Sequence, residues 1–388
     1  MTENIDARPA PPARAAEFWT AQQRQASSLH EVSYRGCFKP QLPAYFINRF
    51  SQPGERVYDP FSGRGTTALE AGLLGRALAA NDVNPLSRML LEPRFSPPEP
   101  RPLEDRLNAL MSEAAAPGED ALDLSMFFHP GTEREIRQLR AALRARLEDG
   151  REDALDRWIR MVATNRLTGH SPGFFSVYSL PPNQAVTQDS QRKINARLDQ
   201  TPPYRDTRAL ILRKTRSLLR NVTAEQRQAL AQAGETAIFL TGDARRAPTL
   251  PEDSFALTVT SPPFLDVVDY AADNWLRCWF NAIDARAITA GLTVPRGLAA
   301  WSEVMGDVLI ELHRITRPGG HVAFEVGEVR GGRIRLDEAV VPLGEAAGLT
   351  TIGVWINTQR FTKTSNIWGV SNNTHGTNTN RVVVFQKP

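Results

Sequence analysis

The stretch TVTSPPF, residues 258–264, places a serine, two prolines and a phenylalanine directly after an apolar run. Proline fixes φ at about −65°, so the carbonyl groups of this corner point in set directions. The hydroxyl of Ser261 and the carbonyl of Pro262 can accept hydrogen bonds from an amino group, and the ring of Phe264 offers a stacking face. This pattern predicts a pocket for a planar base with an exposed amino group. A strand-ending turn at Pro262 and Pro263 without a ligand is the alternative.

A second chemical corner is DPFSGRGTT, residues 59–67, which lies between a predicted strand and a predicted helix. Gly63 and Gly65 allow a tight turn and a close approach of the backbone to a ligand. The helix N-terminus that follows offers unpaired N–H groups, which suit a carboxylate or a phosphate. The spacing is neither GxGxxG nor a P-loop. An ordinary tight strand-to-helix turn is the alternative.

Three acidic residues stand at the carboxyl ends of predicted strands: Asp59, Asp82 and Asp243. In open α/β sheets the carboxyl ends of the strands meet at one crevice, where ligands bind. An acidic residue in the position of Asp82 typically accepts hydrogen bonds from ribose hydroxyls. Each of the three could alone be a helix cap or a turn former. Together they predict a ligand crevice.

The elements that position these residues alternate between strand and helix. Residues 56–82 read as a strand, a helix that Gly75 can end, and a second strand, which predicts parallel pairing with a right-handed crossover. From residue 236 the strand pattern returns in TAIFLTGDA, FALTVTSPPF, HVAFEVGEV, LTTIGVWI and RVVVF. We expect the last two strands to pair as an antiparallel hairpin at a sheet edge. The fold class predicted is α/β, with a mostly parallel sheet.

A helical region interrupts this sheet. Amphipathic patterns predict helices in RPLEDRLNALMSEA, GTEREIRQLRAALRARLEDG, REDALDRWIRMVATNRL, RDTRALILRKTRSLLRN and TAEQRQALAQAG. Between them GHSPGFFSVYSLPPNQAVTQD, residues 169–189, reads as a long loop of the kind that is functional or disordered. Residues 129–220 hold 18 Lys and Arg against 10 Asp and Glu. This excess indicates either a nucleic-acid face or a helical surface of mixed charge.

Composition narrows the class of protein. The chain has 388 residues, 41% of them hydrophobic, a net charge of +3 and two cysteines. No spacing of cysteine or histidine predicts a metal site or a disulfide framework. The sequence shows no secretion signal and no membrane-spanning run, so we expect a soluble intracellular protein. Residues 1–15, rich in proline and alanine, are expected to be disordered or loosely draped.

DPFSGRGTT followed by TSPPF resembles the S-adenosylmethionine-dependent amino methyltransferases of DNA, and the serine form of the second motif is most similar to the cytosine-N4 type. The resemblance implies a Rossmann-like methyltransferase sheet. Its domains would be an N-terminal extension (1–29), a catalytic domain (30–90 and 236–388), and a helical insert (91–235) that is a candidate for nucleic-acid recognition. It also implies S-adenosylmethionine as cofactor, double-stranded DNA as substrate and no metal. A cognate restriction endonuclease is a candidate partner, and the expected location is the cytoplasm of a bacterium, with the chain encoded by the bacterium or by a phage.

The resemblance also assigns residues. CFKPQLPAYFINRF resembles the segment that lines the methionine end of the cofactor site, and Asp59 would contact the methionine moiety, Asp82 the ribose, and Asp243 with Ala244 the adenine. The implied cofactor-binding residues are Phe38, Lys39, Pro40, Asp59, Pro60, Phe61, Gly63, Gly65, Thr66, Thr67, Asp82, Asp243 and Ala244. The implied catalytic residues are Ser261, Pro262, Pro263 and Phe264.

The chemistry explains why this corner suits an amino group. The amino nitrogen of cytosine shares its lone pair with the ring, so it is a poor nucleophile. Hydrogen bonds to Ser261 and Pro262 would favour the tetrahedral nitrogen of the transition state. The base must leave the duplex to reach them. The alternatives are an adenine-N6 methyltransferase of DNA, an amino methyltransferase of RNA, and a cofactor-binding nucleic-acid regulator without catalysis.

Overall fold

A computed structural model describes residues 11–19, 26–34, 36–113, 122–180, 185–263, 270–285, 297–329, 334–360 and 377–388. Its strands are β1 (Ala13–Ala16), β2 (Arg56–Asp59), β3 (Ala77–Asp82), β4 (Ile238–Thr241), β5 (Phe255–Thr260), β6 (Thr316–Val326), β7 (Glu328–Val329), β8 (Ile334–Arg335), β9 (Thr350–Arg360) and β10 (Thr377–Gln386).

The helices in the described ranges are α1 (Gln41–Phe50), α2 (Thr66–Leu73), α3 (Leu86–Leu91), α4 (Pro100–Glu113), α5 (Pro130–Glu148), α6 (Ala154–Thr164), α7 (Gln188–Leu198), α8 (Thr207–Leu219), α9 (Ala224–Thr236), α10 (Tyr270–Phe280), α11 (Leu298–Ile315) and α12 (Leu336–Ala346). Short 3-10 turns lie at Ser28–His30 and Glu92–Phe95. None of these helices is long and apolar enough to cross a membrane.

The main sheet has the strand order β1-β9-β10-β6-β5-β2-β3-β4. Strands β4, β3, β2, β5 and β6 pair in parallel, whereas β10 runs antiparallel to both β6 and β9. All six residues of β5 are buried, as expected for a central parallel strand covered by helices on both faces. The predicted α/β class, the mostly parallel sheet and the C-terminal antiparallel hairpin are confirmed.

The sheet edge differs from the expectation. The hairpin of β9 and β10 is not at the edge, because β1 adds to β9 in parallel. The side chain of Asn357 on β9 also binds this segment: its Oδ1 accepts from the backbone N–H of Phe18 at 2.8 Å, and its Nδ2 donates to the carbonyl of Trp19 at 3.2 Å. The prediction that residues 1–15 are loosely draped is therefore wrong for residues 13–15, which belong to the edge strand. Residues 1–10 lie outside the described part of the chain.

The helical region contains the five helices that the amphipathic patterns predict, as α4, α5, α6, α8 and α9. It also contains α7, which the sequence analysis missed because QDSQRKINARL buries little apolar surface. α7 begins where the side chain of Thr187 accepts from the N–H of Ser190. Helices α6 and α8 pack through a hydrogen bond from Trp158 Nε1 to Thr215 Oγ1 at 3.0 Å. These helices form one apolar cluster with α1, α2 and the sheet strands beside them.

Candidate active site

The glycine corner joins β2 to α2 through two residues with left-handed backbone conformations. Gly63 has φ 52° and Gly65, the N-cap of α2, has φ 75°. A Cβ atom on Gly65 would lie 2.3 Å from Leu91 Cδ1, so only glycine fits this turn. On Gly63 a Cβ atom would lie 3.3 Å from Tyr34 Cε1. Glycine at these two positions therefore lets the turn pack closely against Tyr34 and Leu91.

Asp82 lies at the end of β3 and holds the glycine corner in place. Its Oδ2 accepts from the N–H of Gly63 at 2.8 Å, and its Oδ1 accepts from the N–H of Asn84 at 2.9 Å. Burial raises the pKa of Asp82 to about 6, although these two hydrogen bonds oppose the shift. The carboxylate has no ion-pair partner among the described residues. A ligand hydroxyl could donate to its remaining lone pairs.

Asp59 lies at the end of β2 and is buried. Its Oδ1 accepts from Thr260 Oγ1 at 2.7 Å and from the N–H of Phe61 at 3.1 Å. Burial raises the pKa of Asp59 to about 7, while the hydrogen bonds from Thr260, Phe61 and Thr67 lower it. Thr67, on α2, also donates to the carbonyl of Val259 at 3.0 Å. These contacts place the end of β5 directly beside the glycine corner.

The segment before α1 is attached to the glycine corner through Arg64. This buried guanidinium donates to the carbonyls of His30 and Val32, both at 3.2 Å, and to the carbonyl of Phe38 at 3.3 Å. Burial, together with the charge of Arg64, lowers the pKa of Lys39. The FKP segment thus lies against the glycine corner, and its contact with a cofactor stays a prediction.

Asp243 lies one turn beyond β4, beside the end of β3. The N–H of Gly242 donates to the carbonyl of Asp82 at 3.2 Å, so the two strand ends are adjacent. The Asp243 carboxylate is exposed and bound to Arg245, whose Nη2 lies 2.5 Å from Oδ2. This hydrogen bond lowers the pKa of Asp243. A ligand at this position would share the carboxylate with Arg245, next to the buried Ala244.

The remaining residues assigned to the cofactor surround the same turn. Pro60 is buried, and its carbonyl accepts from Asn81 Nδ2 at 3.3 Å. Thr66 is buried, and its Oγ1 accepts from Arg64 Nε at 3.1 Å. Phe61 is partly buried against the apolar cluster that includes Tyr58 and Phe324. Pro40 is the N-cap of α1. The residues assigned from the sequence to the cofactor therefore lie around the ends of β2, β3 and β4 and the start of α1, and their binding of a cofactor stays a prediction.

The predicted catalytic corner follows β5. The hydroxyl of Ser261 donates to the carboxylate of Glu325, which is buried on the neighbouring strand β6. Trp301 Nε1 on α11 donates to the carbonyl of Pro263 at 2.9 Å and fixes the end of the corner. Pro262 is buried. Phe264 lies outside the described residues.

Sequence reasoning missed three residues that hold these corners: Glu325, Trp301 and Arg64. Glu325 had a readable signal, since it is an acidic residue inside the apolar run HVAFEV of a central strand. A buried carboxylate requires a partner, which points to a site. Trp301 and Arg64 gave no such signal, because their partners are backbone carbonyls distant in sequence.

Within the described ranges no cluster of three histidine, cysteine, aspartate or glutamate side chains could hold a metal ion. Cys37 is partly buried against the glycine corner and Cys278 is buried on α10, and both are free thiols. Burial raises the pKa of the Cys37 thiol, which makes it a poor nucleophile. The chemical groups around this turn are carboxylates, hydroxyls, backbone amides and the cationic side chains of Lys39, Arg64 and Arg245.

A family model described as DNA methylase, whose name covers both N6 and N4 methylation, matches residues 10–85. The chain is 21% identical over 297 residues to the Type II methyltransferase M.BsoBI of Geobacillus stearothermophilus, covering 69% of this chain and 55% of that protein. It is 30% identical over 73 residues to the Type II methyltransferase M.MjaII of Methanocaldococcus jannaschii, covering 19% and 14%. These matches support an amino-methyltransferase family.

The cofactor that this family match supports is S-adenosylmethionine. N4 and N6 methylation are not distinguished by these matches. The chain spans about half the length of M.BsoBI and less of M.MjaII. Among solved structures, a putative DNA modification methylase of Thermus thermophilus, complexed with S-adenosylmethionine, is 22% identical. That match covers 38% of this chain and 54% of the other, with a TM-score of 0.23, which adds nothing to what the strand order shows.

Proposed function

We propose that this chain is an S-adenosylmethionine-dependent DNA methyltransferase that methylates the exocyclic N4 amino group of a cytosine flipped out of the duplex. The observation that supports it most is the hydrogen bond from Thr260 to Asp59. This contact joins the strand that ends in Ser261 to the strand that ends at the glycine corner. A methyl donor at the corner and a base at Ser261 would then face one another across a short gap, as methyl transfer requires.

The residues of the crevice fit the proposed cofactor. Asp59 and Asp82 are carboxylates whose burial raises their pKa values, and neither has a cationic partner among the described residues. A ligand ammonium beside Asp59 would compensate its charge, and ribose hydroxyls beside Asp82 would stabilise its carboxylate by donating hydrogen bonds. Gly63 and Gly65, with their left-handed backbone, shape the turn that this ligand would contact. Bound there, S-adenosylmethionine would supply an electrophilic methyl group on a sulfonium.

The base would be held by acceptors. Because Ser261 donates its proton to Glu325, the lone pairs of Ser261 Oγ are left to accept from the amino group. The carbonyl of Pro262 would be the second acceptor. Since Trp301 binds the carbonyl of Pro263, the corner is held rigid before the base arrives. The amino nitrogen would gain the methyl carbon as the C–S bond of the sulfonium breaks and leaves a neutral thioether, and it would release one proton to solvent. No covalent enzyme intermediate is needed.

Ser261 favours cytosine over adenine as the target, because serine at this position is typical of the cytosine-N4 type in the resemblance. Tritiated S-adenosylmethionine, offered with DNA and with RNA in separate reactions, tests this. After digestion to nucleosides we expect the label in N4-methylcytosine from DNA. Label in N6-methyladenine, or label only in RNA, would instead select one of the alternatives.

Replacing Ser261 tests whether the corner is catalytic. We expect Ser261→Ala to lower kcat at least about a hundredfold, while cofactor binding stays within about threefold. Ser112→Ala, on the exposed face of α4, is the matched control and should behave as the wild type. Unchanged turnover in Ser261→Ala would remove the proposed role. Cofactor binding without any methyl transfer by the wild type would favour a regulator.

We also propose a cognate restriction endonuclease as partner and a location in the cytoplasm of a bacterium, with the chain encoded by the bacterium or by a phage. Methylation-aware sequencing of DNA from a host that expresses the chain reports the modified base and its sequence context together. A single methylated context would support a modification enzyme with one recognition sequence. Host DNA that carries no new methylation would argue against a DNA substrate.

A further inference from the structure

The loop after α6 is a defined structure that the proposed catalytic site does not use. The N–H of Phe175 donates to the carbonyl of Arg166 at 2.7 Å, and the N–H of Ser179 donates to the carbonyl of Gly169 at 3.0 Å. The N–H of Val177 donates to the carbonyl of Phe127 at 2.9 Å, which attaches the loop to the helical insert. Its backbone geometry is therefore set without a ligand.

Two guanidinium groups converge on Gly173 in this loop. A Cβ atom on Gly173 would lie 3.4 Å from Arg213 Nη2, 3.5 Å from Ser171 Oγ and 3.9 Å from Arg166 Nη1. We call these four residues the Gly173 cradle. Each of the three side chains is a hydrogen-bond donor, and the position that a Cβ atom of residue 173 would take lies between them.

The charges of the cradle are not balanced. Arg166 is buried, and the hydrogen bonds of its guanidinium go to the carbonyls of Asn165 and Gly173. Arg213, which is exposed, donates to the carbonyl of Pro172 at 3.0 Å. Neither arginine forms an ion pair with a carboxylate among the described residues. A buried cation without a counter-charge is costly, and a bound anion offsets that cost.

The repulsion extends beyond the cradle. Burial, together with the charges of Arg277 and Arg213, lowers the pKa of Arg166 to about 10. Arg277 is itself buried on α10, the helix that follows the catalytic corner. Asn165, the residue before Arg166, contacts the segment beside the glycine corner, because its Oδ1 accepts from the N–H of Ser33, next to the Tyr34 that lies against Gly63. Arg166, Arg213 and Arg277 thus place three positive charges near one another.

We propose that the Gly173 cradle binds a phosphate of the DNA backbone and so positions the duplex against the catalytic corner. Helix α8 favours a polyanion over a small free phosphate, because TRALILRKTRSLL carries four basic residues and no acidic one. Arginine is suited to phosphate because its planar fork donates two hydrogen bonds at once. The inference rests on the proposed DNA substrate.

Gly173→Ala tests the cradle with little risk to the fold. The backbone at Gly173 is not left-handed, and the new methyl group would meet its neighbours at ordinary van der Waals distances. It would nevertheless occupy the space between the guanidiniums. We expect the Kd for a labelled duplex oligonucleotide to rise about tenfold, and the slope of log Kd against log salt to fall by about one. Gly306→Ala, within α11 and 3.8 Å from Leu343, is the control.

Arg213→Ala should give the same two changes. Arg144→Ala is the control. It removes one positive charge at an exposed position where the arginine is already paired with Glu148, so the Kd for the duplex should stay within about twofold of the wild-type value. Equal Kd values for Gly173→Ala and the wild type would overturn the proposal. Inorganic phosphate is also tested as a competitor of the labelled duplex. The proposal would be overturned as well if Gly173→Ala abolished this competition but left the affinity for the duplex unchanged. Methyl transfer is measured separately, so failure of the cradle and failure of the methyltransferase are distinguishable.

Discussion

Ser261 donates its hydroxyl proton to Glu325, a carboxylate buried on the adjacent strand. The register of the sheet produces this pair, because Thr260 on β5 lies opposite Phe324 on β6 and the next residues of each strand are Ser261 and Glu325. A serine whose proton is committed in this way presents only acceptors to a ligand. Glu325 is therefore a positioning residue for the amino group proposed as substrate.

Glu325→Gln tests this relationship, because the amide keeps the size of the side chain but can donate to Ser261 Oγ as well as accept from it. We expect kcat at saturating cofactor and DNA to fall about ten- to a hundredfold, with the cofactor Kd within about twofold. Glu303→Gln, exposed on α11, is the control and should keep full activity. If Glu325→Gln kept the wild-type kcat, the position of the Ser261 hydroxyl proton would have no effect on methyl transfer.

Asp59→Asn tests the buried carboxylate at the end of β2. With a pKa raised by burial from 3.8 to about 7, the wild type retains a proton that the unfolded chain loses in this pH window. Its contribution to stability is therefore present at low pH and is lost as pH rises to about 7. Above that pH the buried carboxylate is charged, which lowers the stability of the folded chain. Asparagine carries no charge and keeps an oxygen for Thr260, so we expect the substitution to raise Tm more at about pH 8 than at about pH 5. Equal Tm changes at both pH values would contradict the shift.

The same carboxylate sets a pH dependence for cofactor binding. As pH falls below about 7, Asp59 takes up its proton, so the wild-type affinity for a ligand ammonium should decrease, by up to about tenfold per pH unit. Asp59→Asn should bind the cofactor at least about tenfold more weakly at pH 8 and with little pH dependence. Calorimetric titration of cofactor at several pH values measures both. Parallel pH profiles for the two proteins would place the ammonium elsewhere.

Arg64→Lys tests the link between the glycine corner and the segment before α1. Lysine keeps the charge but loses the planar fork that reaches the carbonyls of His30, Val32 and Phe38. We expect the cofactor Kd to rise about tenfold, while kcat at saturating cofactor changes less than about threefold. Arg56→Lys, exposed on β2, is the control. A lower kcat with unchanged cofactor Kd would reject this positioning role.

Gly65→Ala tests the requirement for glycine at the N-cap of α2. Its φ of 75° disfavours alanine, and the Cβ atom would lie 2.3 Å from Leu91 Cδ1. The two effects together should lower the free energy of unfolding by about 2–4 kcal/mol. Gly75→Ala has nearly the same φ, 73°, with no neighbour within 4 Å, so it should cost only about 1 kcal/mol. Urea unfolding compares the two variants, and equal losses would mean that Leu91 moves aside freely.

Local patterns were sufficient wherever a feature depends on neighbouring residues. DPFSGRGTT predicted a turn between β2 and α2, since the two glycines, the strand and the helix are contiguous. Amphipathic periodicity predicted α5 and α6 for the same reason. Helix α7 was missed because its stability comes from a Thr187 cap and tertiary contacts rather than from an apolar face. Strand β1 was missed because ARAA is short and exposed, and becomes a strand only when β9 offers its edge.

The sequence by itself indicated the succession of strands and helices along the chain, the glycine corner and the acidic residues at strand ends, because each of these depends on neighbouring residues. Only the tertiary structure decided which groups support that crevice. Glu325 lies 64 residues from Ser261 along the chain. The cradle at Gly173, in a loop, is completed by Arg213 of α8. Such pairs are created by sheet register and helix packing, which spacing along the chain does not encode.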